Sequence, residues 1–212
     1  MNVKKRKKLL LCLFIIICCL PMFGLKAEAK NIFTGNLKVD CAAEKIINRC
    51  TKPGMSQRQK LKSVYTYLVK TMRYSHSNGR VRVHVTKKEM KNHRKNMVSM
   101  LSDKKIRYSS KFSSDYANLL TLQGTCKDMS GVFCILANHL GFKAGYVTGR
   151  YVRSKGSSTE HWWNYVVVNG KRYYCDVQAA NESWDRHHSI AAVRSFYLRD
   201  KNSHGWRKHH RG

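Results

Sequence analysis

Three residues, Cys126, His161 and Asp176, are of the types that form a thiol nucleophile, its general base and the carboxylate that orients the base. A cysteine with an ordinary pKa of about 8.5 is only a few per cent thiolate at neutral pH, so it needs such partners to react quickly. The imidazole removes the thiol proton, and the carboxylate fixes the tautomer of the imidazole. The expected chemistry is attack of a thiolate on a carbonyl carbon, with a covalent acyl-enzyme as the intermediate.

The segment around Cys126 predicts the start of a helix. Thr125 and Asp128 match the capping-box pattern, and an apolar run with spacings of three and four continues to Gly141. With Thr125 as the N-cap, Cys126 is the first helical residue, where unpaired N–H groups and the helix dipole favour a thiolate. The Cys126 backbone N–H is the expected oxyanion donor, with Gln123 as a candidate for the second.

His161 and Asp176 lie on the two arms of a predicted β-hairpin. Asn169-Gly170 between runs of β-forming residues predicts a two-residue type I′ turn, in which Val168 faces Lys171. This register places Asp176 diagonally across from His161 on the same face, roughly 7–8 Å away and within side-chain reach. A turn with an odd number of residues would place the two side chains on opposite faces.

These pieces together resemble the transglutaminase-like superfamily of thiol enzymes over roughly residues 56–200. The resemblance rests on Gly-x-Cys at a helix start (Gly124, Cys126), a glycine after that helix (Gly141), His-x-Trp-Asn (His161, Trp163, Asn164) and an aspartate after the hairpin (Asp176). It implies an α+β, papain-like fold, with N-terminal helices and the nucleophile helix packed on an antiparallel sheet. It also implies that Cys126 is the nucleophile, His161 the base and Asp176 the orienter.

The resemblance carries further expectations. Residues 61–68 look like the leading helix of the family, and residues 196–200 look like its closing strand. Families of this type often follow the aspartate with Pro-Thr, whereas this chain has Val177-Gln178. Small bacterial members are more often hydrolases than cross-linkers, so the resemblance favours hydrolysis of peptide-like amides in a protein or peptide, with transamidation as the alternative. No cofactor is implied.

The first 29 residues predict a signal peptide. A basic segment at residues 4–8 precedes an apolar stretch at residues 9–25, and Ala27-Glu28-Ala29 has the form of a cleavage site. The stretch is at the short limit for a membrane span, so an uncleaved N-terminal anchor is the alternative. We expect a mature chain that begins at Lys30 and is secreted or associated with the cell envelope. Its expected parts are a lead at residues 30–55, a catalytic domain at residues 56–200 and a basic tail at residues 201–212.

The chain is strongly basic, with a formal net charge of +29. Removal of residues 1–29 leaves 35 Lys and Arg against 11 Asp and Glu, a net charge of +24. The resulting field attracts polyanions, which outside a cell are anionic wall polymers or membrane headgroups. Nucleic acid is disfavoured, because no helix-turn-helix, zinc-finger or aromatic RNA-binding motif is present in the sequence.

Five cysteines remain after the signal segment: Cys41, Cys50, Cys126, Cys134 and Cys175. Two disulfides and one reduced nucleophile would use all five, but the sequence does not assign the pairs. On one continuous helix Cys41 and Cys50 would be about 13 Å apart, which is too far for a disulfide. The histidine pairs His187-His188 and His209-His210 have no companion ligand spacing, so no metal site is predicted.

The remaining sequence predicts elements that position these residues. We expect helices at residues 40–49, 56–74, 87–101 and 115–122. We expect strands at residues 81–85, where the strand is exposed, and at residues 143–152. A flexible loop is expected at residues 154–158 and a frayed tail at residues 201–212. Trp162 and Trp163 are expected to pack on opposite faces of their strand.

Two other classes of protein fit part of the pattern. One is a non-catalytic basic module that binds the cell envelope on the same fold. The other is a membrane-active or nucleic-acid-binding basic protein in which the three residues coincide by chance. The intact set Cys126, His161 and Asp176 favours the enzyme, because a degenerate copy would have lost at least one member.

Overall fold

The computed structural model of the 212-residue chain describes residues 31–76, 83–102, 107–108, 118–152, 157–203, 206 and 208–211. It has an α+β fold, as the sequence predicted. The described residues contain seven helices: α1 Leu37–Cys50, α2 Gln57–Thr71, α3 Lys87–Ser102, α4 Asn118–Thr121, α5 Cys126–His139, α6 Val177–His187 and α7 Ile190–Ser195.

The main sheet has four antiparallel strands: β5 Lys143–Val152, β6 Ser158–Val168, β7 Lys171–Cys175 and β8 His209–Arg211. Their order in the sheet is β7-β6-β5-β8. Two short parallel pairs lie outside this sheet. One joins β1 Ile32–Phe33 to β3 Arg107–Tyr108, and the other joins β2 Arg73–Tyr74 to β4 Gln123–Gly124.

The predicted hairpin is confirmed with its register. Asn169 and Gly170 have φ angles of 52° and 76°, the left-handed values that a type I′ turn requires. Val168 pairs with Lys171 as predicted, and the pairing continues to Asn164 opposite Cys175. Asp176, the next residue, therefore leaves the sheet beside the strand that carries His161.

The helix α5 is the centre of the hydrophobic core. Every residue from Met129 to His139 is buried, between α1 and α2 on one side and β5 and β6 on the other. On the opposite face of the sheet a second apolar cluster is formed by Trp163, Tyr174 and Trp206. The helix is therefore enclosed from Met129 to its C-terminal end, which fixes the position of its first residue.

Several helices agree with the predictions, and their limits follow from their caps. Ser56 caps α2 in a reciprocal capping box with Gln59. Asn36 accepts hydrogen bonds from the N–H groups of Lys38 and Val39, so α1 begins before the predicted residue 40. Within the predicted lead at residues 30–55, α1 buries Val39, Ala42, Ala43 and Ile46 in the hydrophobic core.

Three local predictions were wrong. Residues 83–86 form no strand, although buried Val83 and Val85 alternate with exposed His84 and Thr86. Residues 196–200 form only a single bridge, between Arg199 and Tyr174, because Leu198 has a φ of 45° that is incompatible with a regular strand. The C-terminal tail is not frayed at residues 209–211, which pair with β5 as strand β8.

Some predictions fall on residues outside those described. They are the signal peptide at residues 1–29, most of the loop at residues 154–158, and the beginnings of the strand at residues 81–85 and of the helix at residues 115–122. Within the described part of the chain, none of the helices combines the length and the hydropathy needed to span a membrane.

Candidate active site

Cys126 is the first residue of α5, as the sequence predicted. The Asp128 carboxylate accepts hydrogen bonds from the Thr125 backbone N–H and the Thr125 hydroxyl, both at 2.8 Å, and so fixes the turn that precedes the helix. Gly124 is needed for this close packing, because a Cβ at that position would lie 2.4 Å from the Asp128 Cβ. The Cys126 thiol is only partly buried, at the end of a helix whose remaining residues are mostly enclosed.

His161 and Asp176 are in direct contact, although they are 15 positions apart in the sequence. The Nε2 atom of His161 lies 2.7 Å from Oδ2 of Asp176. Because an ionised carboxylate only accepts hydrogen bonds, Nε2 must carry the proton, which leaves Nδ1 of His161 for the thiol. The Cys126 side chain stands near enough to this imidazole to raise the pKa of His161.

The charges of this site stabilise an imidazolium. Burial lowers the pKa of His161, but the charge and hydrogen bond of Asp176 and the hydrogen bond to Cys126 raise it from 6.5 to about 10. Burial raises the pKa of Asp176, but the charges and hydrogen bonds of His161 and His209 outweigh this effect and hold the pKa well below its ordinary value. The arrangement can therefore hold the proton that the thiol releases when it becomes a thiolate.

Asp176 is the N-cap of α6, a role that the sequence reasoning missed. Its Oδ1 atom accepts a hydrogen bond from the Ala179 N–H at 2.9 Å, and its carbonyl accepts one from the Tyr65 hydroxyl at 3.2 Å. Its own N–H donates to the Phe196 carbonyl. The sequence does contain a pattern that predicts this cap. Val-Gln-Ala-Ala follows the aspartate in place of the expected Pro-Thr, and an aspartate before such residues is a favourable start for a helix. Hydrogen bonds to its side chain and to its backbone thus hold Asp176 in place.

His209 is a second histidine on the same carboxylate. Its Nε2 atom lies 2.7 Å from Oδ2 of Asp176, and its ring stacks on Trp206 with centroids 3.9 Å apart. Sequence reasoning missed this residue because 33 positions separate it from Asp176 and the tail was expected to be frayed. The pairing of β8 with β5 brings it to the site.

Asn164 ties the strand of the histidine to the helix of the thiol. Its Nδ2 donates to the Ser130 carbonyl of α5 at 2.8 Å and to the Gly145 carbonyl of β5 at 3.3 Å. The Ser130 hydroxyl donates back to the Trp162 carbonyl at 3.0 Å. These bonds explain why Asn follows Trp in the His-x-Trp-Asn pattern: they fix the distance between α5 and β6.

The predicted oxyanion donors lie at the start of α5. The Cys126 N–H is at the first helical position, and Gln123 lies in β4, half-buried, just before the cap. The role of Gln123 as second donor stays a prediction. Of the two tryptophans, Trp163 is buried, while Trp162 is partly exposed, beside Tyr146 and Lys127. The two rings thus lie on opposite faces, as predicted.

The thiols of Cys50 and Cys175 are placed where they stay protonated. Burial raises the pKa of Cys50 to about 11 and that of Cys175 to about 12. Cys134 is buried and donates to the Ala144 carbonyl. Cys41 and Cys50 lie on the single helix α1, so they are too far apart for a disulfide, as predicted. The five cysteines from Cys41 to Cys175 are all free, so neither of the two disulfides that five cysteines would allow is formed in this structure.

The contacts of Asp176 fit hydrogen bonds better than a metal ion. Ligand-type atoms of His161, Asp176 and His209 lie within 4.8 Å of one another. Both nitrogens, however, are 2.7 Å from the same oxygen. Two ligands of a tetrahedral zinc ion would stand about 3.4 Å apart. We therefore interpret the three side chains as a network of hydrogen bonds.

Comparison with known proteins agrees with the resemblance seen in the sequence. Residues 84–179 match the family model described as the transglutaminase-like superfamily, and this range includes Cys126, His161 and Asp176. The chain therefore contains a transglutaminase-like domain. That superfamily consists generally of cysteine hydrolases and transferases.

Among solved structures, the chain is similar to one described as "Crystal structure of a TGase", with 13% sequence identity and a TM-score of 0.42. The similarity covers 83% of this chain and 38% of that chain, so this chain spans well under half of the length of its structural neighbour. The search of curated proteins gave no significant match.

Proposed function

We propose that this protein is a thiol enzyme that forms an acyl-enzyme on peptide-like amides, with Cys126 as nucleophile, His161 as general base and acid, and Asp176 as the residue that orients His161. The observation that supports this most directly is the 2.7 Å contact of His161 with the buried Asp176 carboxylate, with Cys126 near enough to the same imidazole to raise its pKa. The position of the thiol at the start of α5 adds the N–H groups and the dipole that favour a thiolate.

The reaction follows from this arrangement. Nδ1 of His161 takes the proton of Cys126, and the thiolate attacks the carbonyl carbon of the amide. The oxyanion is stabilised by the Cys126 N–H at the helix start, with Gln123 as the candidate second donor. The imidazolium then protonates the leaving amine, the C–N bond breaks and a thioester remains.

The second half of the reaction releases the acyl group. His161 removes a proton from water, and the resulting attack on the thioester returns the Cys126 thiolate and yields a carboxylic acid. An amine that replaces water gives transamidation. We favour hydrolysis, so the proposed activity is that of a protease or amidase acting on a protein or peptide, and no cofactor is required by this sequence of steps.

We further propose that the protein works outside the cell, at the envelope. The N-terminal 29 residues have the pattern of a signal peptide, and the remaining chain keeps a net charge of +24. Retention on anionic wall polymer or on anionic membrane headgroups should weaken steeply with salt, because the Debye length falls to about 3 Å at 1 M. Binding that persists at that salt concentration would indicate a specific receptor instead.

The test of the enzymatic proposal is to trap the acyl-enzyme. The protein is mixed with a library of peptides and quenched with acid, and the mass added to the peptide that contains Cys126 is measured. We expect an acyl adduct that is absent from Cys126→Ala, which should fold as stably as the parent because this side chain is only partly buried. Equal processing of peptides by Cys126→Ala and the parent would overturn the assignment.

The competing function is a non-catalytic basic module that binds the envelope. The observation in its favour is the charge, which is spread along the chain. Such a module would bind anionic polymer normally and show neither an acyl adduct nor fast alkylation of Cys126. The same two measurements, binding and adduct formation, therefore separate the two proposals.

A further inference from the structure

His209 lies outside the part of the chain that matches the transglutaminase-like family, yet its side chain reaches the candidate active site. His209 lies on β8 and pairs there with Tyr151 of β5. Strand β5 in turn lies between β8 and β6, the strand that carries His161. The contact therefore depends on the C-terminal strand of this particular chain.

The geometry of the carboxylate shows that His209 and His161 share one oxygen. Oδ1 of Asp176 accepts the Ala179 N–H, while Oδ2 lies 2.7 Å from Nε2 of each histidine. A carboxylate without a proton accepts only, so both nitrogens must carry hydrogen. One negative charge is thus divided between two imidazole donors.

Among the described residues, the one ion-pair partner of the His209 ring is Asp176. The side chain is fully buried, and within the described part of the chain its Nδ1 atom has no hydrogen-bond partner. The titratable side chains that face it are Asp176, His161 and Tyr151, and the other rings in contact are those of Trp163, Phe196 and Trp206. The bond to Asp176 is its single described polar contact.

We propose that His209 is a positioning residue of this active site: it holds Oδ2 of Asp176 jointly with His161 and limits how tightly the carboxylate binds the His161 imidazolium. This inference rests on the proposed function. An imidazolium that is bound too tightly is a poor acid for the leaving amine, because a general acid works best when its pKa is near the working pH. A shared oxygen keeps His161 oriented while reducing its hold on the proton.

Two variants of His209 distinguish the loss of its hydrogen-bond donor from the loss of its ring. His209→Phe keeps a ring that can stack on Trp206 but removes the donor, whereas His209→Gln keeps an N–H donor and loses the ring. The measurement is the rate of Cys126 alkylation by iodoacetamide from pH 4 to pH 11, resolved by mass spectrometry. Thermal midpoints report whether each variant folds.

The sign of the shift in this pH profile is the decisive result. Without the second donor the charge of Asp176 acts on His161 alone. We therefore expect the inflection points of the Cys126 alkylation rate against pH to move upward by about half to one pH unit in His209→Phe. His209→Gln should return most of the profile toward the parent. If His209 merely supports β8, its loss would loosen the contact between Asp176 and His161, and the inflections would move downward. A downward shift or no shift in His209→Phe would overturn the proposal.

A measurement on the unmodified protein covers the case in which the variants do not fold. Nitrogen-15 spectra of the histidine rings report which nitrogen carries hydrogen. The proposal predicts hydrogen on Nε2 of both His161 and His209 at neutral pH, and an Nε2 of His209 without hydrogen would contradict it. Slow alkylation of Cys126 in the parent would instead count against the proposed function, so the two failures are distinguishable.

Discussion

The two ends of helix α5 carry the same types of side chain in different arrangements. They are about 20 Å apart along the helix axis. At the N-terminal end Cys126 stands near enough to His161 to raise the pKa of the imidazole, and His161 contacts Asp176. At the C-terminal end His139 lies 3.2 Å from Asp40, whose chain neighbour is the buried Cys41.

The difference lies in what surrounds each thiol. Burial together with the charges of Glu44, Asp40 and Glu89 raises the pKa of Cys41 to about 11, so this thiol stays protonated. Cys126 instead has an imidazole as its neighbour and a helix start beneath it. A cysteine, a histidine and a carboxylate therefore form a nucleophile only when the imidazole stands between the other two.

The carboxylates of the two clusters differ in the same way. Oδ1 of Asp40 accepts hydrogen bonds from the backbone and the hydroxyl of Thr34, and its buried Oδ2 has no hydrogen-bond partner among the described residues. Both oxygens of Asp176 are occupied. We interpret the Asp40 cluster as a link between α1 and the end of α5, and the Asp176 cluster as the one built to orient an imidazole.

The largest expected effect is that of Asp176→Asn. The amide can still cap α6, but its NH₂ group would oppose the Nε2–H of His161 and favour the wrong tautomer. In the Ser-His-Asp triad of serine proteases, the equivalent change lowers turnover by about 10⁴. We expect a loss approaching that size, with a stability loss of only about 1–3 kcal/mol. Turnover and chemical denaturation measure the two effects.

Asp40→Asn is the matched control at the other end of α5. It removes a buried carboxylate of the same kind, so we expect a comparable loss of stability, about 1–3 kcal/mol, and no change in the alkylation rate of Cys126. A fall in that rate as large as the one caused by Asp176→Asn would show that the two clusters do not differ in function.

The dependence of stability on pH should also distinguish the clusters. The pKa of His161 is raised from 6.5 to about 10, so its contribution to stability is fully present below pH 6.5 and is lost as the pH rises toward 10. The pKa values of Asp40 and Asp176 are lowered, so their contributions are present above about pH 4 and are lost in acid. Asp176→Asn should abolish the alkaline decline, whereas Asp40→Asn should retain it. Denaturant titrations from pH 3 to pH 10 measure this, and an unchanged alkaline decline in Asp176→Asn would contradict it.

A smaller effect is expected from Gly124→Ala. The added Cβ would lie 2.4 Å from the Asp128 Cβ, which is attached to the backbone and has little room to move. We expect a stability loss of about 1–3 kcal/mol and a several-fold slower alkylation of Cys126, because the first turn of α5 must shift. Asp128→Ala removes the capping carboxylate but adds no atom at position 124. The stability of this variant therefore measures the contribution of the cap alone. Parental stability in Gly124→Ala would show that the close approach is not required.

The sequence could predict the parts of the site that depend on local rules. A two-residue turn at Asn169-Gly170 determines the register of the hairpin, and the pair Thr125 and Asp128 determines where α5 begins. His209 could not be predicted in this way, because the pairing of a three-residue strand with β5 is decided by packing against Trp206 rather than by its own residues. The role of Asp176 as a helix cap could have been predicted from the residues that follow it.

The most direct test of the account is the alkylation rate of each cysteine at pH 7 in one sample of the folded, reduced protein. Iodoacetamide labelling followed by peptide mass spectrometry gives the rates of Cys126 and Cys41 together, so one serves as the reference for the other. We predict that Cys126 reacts at least about 100-fold faster than Cys41, since thiolate is the reacting form. We also predict that His161→Ala removes most of this difference. Equal rates for the two thiols in the parent, or an unchanged Cys126 rate in His161→Ala, would contradict the proposal that Cys126 is an activated nucleophile.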